Sequence, residues 1–271
     1  MSIAPPVEAK RRPVGGTELS WCKAVPGGTG ITVLALLLSK TLDITLLRNA
    51  LHKLQISHPI LNSQLHFNPT SNSFSYITPP TPQLQIQPFD LQSTSKILQT
   101  LDNGNGNRTP TSISPFHLIL EHELNKNVWQ NIDPLLDIDL FFASVYTLEN
   151  DNSVVALRLH TSACDRTSAL TLLRELLGLI DGEGLDSSEL GKEMQVNLGI
   201  EDYIPSGKAN KPLWARGVDM LGYSLNSLRF SNLSFKDTES PRMSQVVRLQ
   251  LNSEDTDRIL SVSDEFLSEI C

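Results

Sequence analysis

The chain has 271 residues, a formal net charge of −8 and a pI of about 5.2, with 39% hydrophobic and 19% charged residues. This fits a globular fold with a sizeable core and excludes an extended, highly charged chain. The acidic balance disfavours nonspecific binding to nucleic acid or anionic lipid, and the longest apolar run, Ile31–Leu38 with Thr32 inside it, is far too short to cross a bilayer.

Cys22, Cys164 and Cys271 are too few and too widely spaced for a disulfide framework or a zinc site. The N-terminus carries Pro5, Pro6, Lys10, Arg11 and Arg12 without an apolar stretch, so it does not read as a secretory signal. A reducing, cytoplasmic setting is the expectation.

Residues 1–16, rich in Pro and charge, are expected to form a flexible arm. Glu18–Ala24 is expected as a short strand, Pro26–Gly30 as a turn and Ile31–Ser39 as a buried strand. Asp43 is placed to cap a helix, because its carboxylate can accept from the free amides of the first turn. Behind it Leu47, Ala50, Leu51 and Leu54 recur at helical spacing, which predicts an amphipathic helix over Ile44–Ser57, stopped by Pro59.

Leu61–Phe67 and Phe74–Thr78 alternate as two strands around a polar turn, and Leu84–Gln87 alternates as a third. Ser95–Leu101 predicts a short helix within a polar, partly disordered stretch, Gln92–Ser114, and Pro115–Lys126 predicts another helix. Leu140–Leu148 and Ser153–His160 predict a strand pair around Glu149–Asn152. Thr167–Ile180 has a helical apolar face built from Ala169, Leu172, Leu173, Leu176 and Ile180. Residues 181–243 are loop-rich, Val246–Leu251 alternates like a strand, and Asn252 or Ser253 caps a last helix.

Short chemical motifs are mostly discounted by their context. Gly27-Gly28-Thr29-Gly30 lacks the Gly-Lys-Ser/Thr ending of a phosphate loop and precedes a strand, so a hairpin turn is expected. His122-Glu123 opens like a zinc-protease motif, but Lys126 holds the second His position. Asp181–Asp186 lacks calcium-loop spacing. Trp21, Trp129 and Trp214 are expected in the core, and Cys164 as a small buried thiol rather than a nucleophile paired with His160.

The segment Leu159-His160-Thr161-Ser162-Ala163-Cys164-Asp165-Arg166 resembles the HHxxxDG motif of the condensation-domain and alcohol-acetyltransferase superfamily. Leu47–Leu54 followed by His58-Pro59-Ile60-Leu61 resembles the opening of the same family, and Asp139–Ala143 with Val154–His160 resembles the strands that lead into its motif. The resemblance covers about residues 17–271. It implies an α+β fold of the chloramphenicol acetyltransferase-like kind, a two-layer sandwich. Residues 17–244 would be its N-terminal half, and 245–271 the crossover strand and first helix of an incomplete second half.

By the same resemblance, the function would be transfer of an acyl group from a coenzyme A or carrier thioester to an alcohol or amine. No bound cofactor is expected, and coenzyme A thioester would be a substrate. The candidate site residues are His160 and Asp165 at the first His and the Asp of the motif, and Thr161 at its catalytic second His. A threonine has no group that titrates near neutral pH and cannot act as a general base. His160 is adjacent, but neighbouring side chains on a strand face opposite ways. Asp165 is expected in a structural ion pair with Arg166 or another Arg. The alternatives are an inactive binding or regulatory module and a truncated product of a longer acyltransferase. A half-fold would expose an apolar face and self-associate.

Overall fold

The architecture is α+β, as the family resemblance implies, and among the described residues two sheets of four strands each carry it. The computed structural model describes residues 8–40, 42–104, 113–131, 133, 136–182, 196–205, 220, 243–246 and 252–258. The smaller sheet has the order β1 (Lys10–Pro13), β4 (Ser73–Thr78), β3 (Gln64–Asn68), β6 (Ile138–Asp139), all antiparallel. The larger has the order β2 (Ile31–Leu38), β8 (Ser153–His160), β7 (Phe141–Thr147), β5 (Ile86–Phe89). Only its β5–β7 pairing is parallel among the described strands.

Helices cover both faces of the larger sheet. On one side α2 (Ile44–Ser57) and α5 (Arg166–Ile180) bring Leu47, Leu51, Leu54, Ala169, Leu172 and Leu176 against Val155, Leu157 and Leu159 of β8. On the other, α3 (Leu91–Gly104) and α4 (Pro115–Asn125) bring Ile97, Leu98, Phe116 and Ile119 against Tyr146, Val154 and Ala156. Strand side chains alternate between faces, so covering both faces buries every residue of β8.

The caps follow the sequence. Asp43 accepts from the Thr45 and Leu46 amides at 2.8 and 3.3 Å and starts α2 where predicted. Asn252 accepts from the Asp255 amide at 2.7 Å, as expected of a cap. The β7–β8 turn places Asn150 and Asp151 at φ 56° and 58°, a left-handed pair that suits a tight hairpin.

Several expectations are corrected. Lys10–Pro13 is not part of a free arm, because it pairs along β4. Glu18–Ala24 is not a strand but most of α1 (Gly16–Ala24), whose Gly15 amide donates to Glu18 at 2.7 Å. The helix packs Cys22 in a cluster with Leu65, Tyr76 and Leu140. Pro26–Gly30 joins that helix to β2 rather than closing a hairpin. A Cβ on Gly30, at φ 81°, would lie 2.9 Å from the Trp21 ring. Trp21 itself is 39% exposed rather than core, whereas Trp129 is fully buried. The strand expected at Leu84–Gln87 begins at Ile86, and the helix expected over Ser95–Leu101 runs over Leu91–Gly104. Trp214, residues 1–7 and most of Val246–Leu251 lie outside the described residues.

Arg158 of β8 faces α4, where its side chain is 2% exposed. Its guanidinium donates to Glu123, which also accepts from the Tyr146 hydroxyl. Burying either charge alone is unfavourable, so each side chain depends on the other. Glu123→Leu is expected to destabilise the fold by about 3–5 kcal/mol, whereas Glu123→Leu with Arg158→Met recovers most of that loss. Urea unfolding of the two single variants and the double variant measures this.

Candidate functional site

The motif segment begins where β8 ends. The His160 amide donates to Leu140 O at 2.9 Å, and the His160 carbonyl accepts from the Ala163 and Cys164 amides at 2.9 and 3.3 Å, which turns the chain. Asp165 then caps α5, its carboxylate accepting from the Ser168 amide at 2.8 Å. That bond holds the Asp165 carboxyl below its ordinary range. Asp165 is thus a helix cap, and the side chain of Arg166, its first expected ion-pair partner, lies outside the described residues.

His160 and Thr161 face opposite ways, as strand geometry requires. The His160 ring is 0% exposed and packs edge-on against Trp129, with ring centres 5.1 Å apart at 84°. Trp129 in turn contacts Phe142, and Arg158 lies over the Phe142 ring. Nδ1 of His160 accepts from the Ser162 amide at 3.1 Å and lies 2.7 Å from Ser162 Oγ. Because Nδ1 is an acceptor there, the neutral ring carries its proton on Nε2. Burial depresses the imidazole from 6.5 to about 4, so it is uncharged at neutral pH.

Thr161 directs its polar groups to the start of β2. Its amide donates to Gly30 O at 2.9 Å, its hydroxyl donates to the same carbonyl, and Thr32 Oγ1 is 3.4 Å from it. These contacts extend the β2–β8 ladder beyond its last pair, Ile31 with His160.

Ser162 was not singled out by sequence reasoning, nor were Cys22 and Tyr76, which the tertiary structure brings to it. Both are buried with Leu65, Leu140 and Ala163. Burial pushes the Cys22 thiol up to about 12 and the Tyr76 phenol upward as well, each opposed by an interaction with Ser162. No spacing signal connects residues 22, 76 and 162; they meet because α1, β4 and the motif turn converge. Cys164 is buried as expected, its thiol raised to about 11 by desolvation and then by Asp165. His58, in the His-Pro segment after α2, lies 2.6 Å from Glu175 of α5 and ties together the two helices on that face.

A separate cleft of about 390 Å³ lies at the far end of the larger sheet, lined by Leu37, Leu91, Leu98, Phe116, Leu148 and Glu149 among others. None of His160, Thr161 and Asp165 lines it. No group of three or more His, Cys, Asp or Glu that could hold a metal occurs among the described residues. No described helix is long and apolar enough to cross a membrane.

Solved structures similar to this chain include condensation domains and a coenzyme A complex. Holo T3CT shares 11% identity at a TM-score of 0.48, over 84% of this chain and 46% of that one. The first condensation domain of the calcium-dependent antibiotic synthetase, in complex with a substrate analogue, shares 17% at 0.43, over 66% and 40%. F. graminearum TRI101 complexed with ethyl coenzyme A shares 12% at 0.42, over 66% and 41%. The chain thus spans less than half the length of each. No family model and no curated protein matches the sequence.

The depressed imidazole has a measurable consequence. The unfolded chain takes up a proton on His160 near pH 6.5, whereas the folded chain does so only near 4. Stability from this group is therefore complete above 6.5 and falls as the pH drops towards 4, by about 3 kcal/mol in all. The stability–pH curve of His160→Gln should lack this component when both proteins are unfolded in urea between pH 4 and 7.5.

Proposed function

We propose that this chain is an acyltransferase-type module of the condensation-domain kind. In this reading it binds an acyl thioester, or the alcohol or amine that would accept the acyl group, without using the motif residues as acid–base machinery. One observation carries it: the polar atoms at the motif positions are either bonded by the protein or, like His160 Nε2, enclosed away from solvent. His160 is enclosed and held by Ser162, the Thr161 hydroxyl is bonded to Gly30, and Asp165 caps a helix. A general base must reach the proton that it removes, and a fully buried imidazole depressed to about 4 does not do so.

The resemblance of His160, Asp165 and the His58-Pro59 segment to the family supplies the ligand class. Coenzyme A thioester is the donor to test, with no resident cofactor. A second reading, acyl transfer without a base, is favoured by the retention of His160 and Asp165 at a strand end and a helix cap. There the rate would come from positioning the two reactants alone.

Coenzyme A release from a panel of acyl-CoA donors, with alcohol and amine acceptors, tests the proposal. Turnover is expected to stay at the uncatalysed background for the protein and for His160→Ala, while calorimetry detects binding of a donor or acceptor. Turnover that His160→Ala lowers by about 100-fold or more would make His160 the base and overturn the reading. Turnover that His160→Ala leaves intact would select the second reading.

A further inference from the structure

The two described sheets end on four edge strands, and three of these edges are blunted. β1 carries Lys10, Arg11, Arg12 and Pro13, β6 is two residues long, and β5 is four residues long with Pro88 inside it. Charge, brevity and proline are devices that keep a strand edge from pairing with another chain. The fourth edge strand, β2, has none of them. Its eight residues, Ile31–Leu38, contain no charge, proline or glycine, and they pair with β8 in unbroken register.

The ladder decides which backbone groups of β2 point outward. The Thr161 amide donates to Gly30 O, so Gly30 faces β8, and by alternation Thr32, Leu34, Leu36 and Leu38 do the same. The amides and carbonyls of Ile31, Val33, Ala35 and Leu37 therefore point away from β8, the one neighbour of β2 among the described strands. The exposure agrees. Every residue of β8 is buried, whereas seven residues of β2 are half-buried and Leu37 is 55% exposed.

We propose that the β2 edge is a dimerisation surface. On it, β2 of a second copy of this chain pairs antiparallel across a two-fold axis near Ala35 and joins the two larger sheets into one. The strand is complementary to itself. An axis perpendicular to the sheet keeps each face on its own side, so Leu34 comes opposite Leu36 of the second copy, and Val33 opposite its Leu37. Leu34, Leu36 and Leu38 already pack against the core beneath α2 and α5, so the pairing continues that core across the boundary. In a chain of net charge −8 this edge is uncharged. Nothing on it selects a charged partner, and the like charges of two copies stay off the joint.

Light scattering of the full chain across a dilution series is expected to show a reversible shift between 30.0 kDa and twice that mass. Ala35→Pro removes an outward amide without breaking a β2–β8 bond, and Leu37→Lys places a charge on each side of the axis. Each substitution enters the interface twice, so each is expected to weaken dimerisation by about tenfold or more with an unchanged far-ultraviolet circular dichroism spectrum. Should Ala35→Pro fail to fold, Leu37→Lys, at an exposed position, and hydrogen exchange decide. In exchange followed by NMR, the amides of Ile31, Val33, Ala35 and Leu37 are expected to slow as the concentration rises, while those of Thr32, Leu34 and Leu36 stay slow throughout. A monomer at every concentration, or a dimer that Leu37→Lys leaves intact, would overturn the proposal. So would outward amides protected independently of concentration, which would mean that the edge is taken within one chain.

Discussion

Because β8 lies between α2 and α5 on one face and α4 on the other, any polar side chain on it is cut off from water and needs a partner inside the protein, and atoms that find none among the described residues, Arg158 Nε and His160 Nε2, are left unpaired. Arg158 meets this demand through Glu123, and Glu123 also takes the Tyr146 hydroxyl. His160, next along the same face, meets it only in part: it stays neutral, bonds Ser162 through Nδ1 and packs on Trp129, while Nε2 has no hydrogen-bond partner among the described residues. Trp129 and the partly buried Phe142 then join the two polar groups into one continuous row. Loss of one member leaves a neighbour uncompensated, which is why this row, more than any surface contact, couples α4 to the sheet.

The same burial decides what the motif segment does. At the end of β8 the chain turns on the His160 carbonyl, the Thr161 hydroxyl closes back on Gly30, and Asp165 opens α5. Each step is structural: a strand end, a ladder extension and a helix cap. A motif that resembles an acyltransferase signature is thereby used to pass from the central strand to the helix that covers it. The polar groups that converge beside this turn, Cys22, Tyr76 and Ser162, come from three separate parts of the chain, and burial keeps the Cys22 thiol and the Tyr76 phenol protonated.

Much of the fold was legible because its cause is local. Asp43 before the apolar spacing of Leu47, Ala50, Leu51 and Leu54 defines α2 from the sequence, and Pro59 defines its end. The strand pair around Glu149–Asn152 was legible because its alternation is interrupted by turn residues that tolerate positive φ. Glu18–Ala24 was misread because a nine-residue helix with little apolar periodicity carries no clear local signal, and its state is set by Cys22 docking in the core. The arm was misread at Lys10–Pro13 for a related reason: pairing along β4 uses backbone groups, which every sequence has.

The sequence by itself determined the main helices and central strands, and the position of the motif-like turn. These follow from periodicity, caps and breakers within a few residues of one another. Tertiary structure alone decided that His160 is enclosed rather than presented, and that Glu123 and Arg158 form a pair 35 residues apart. It also brought Glu201 to the start of α1, 184 residues from Thr17. Such outcomes depend on which faces the packing removes from water, and no local pattern of residues encodes that.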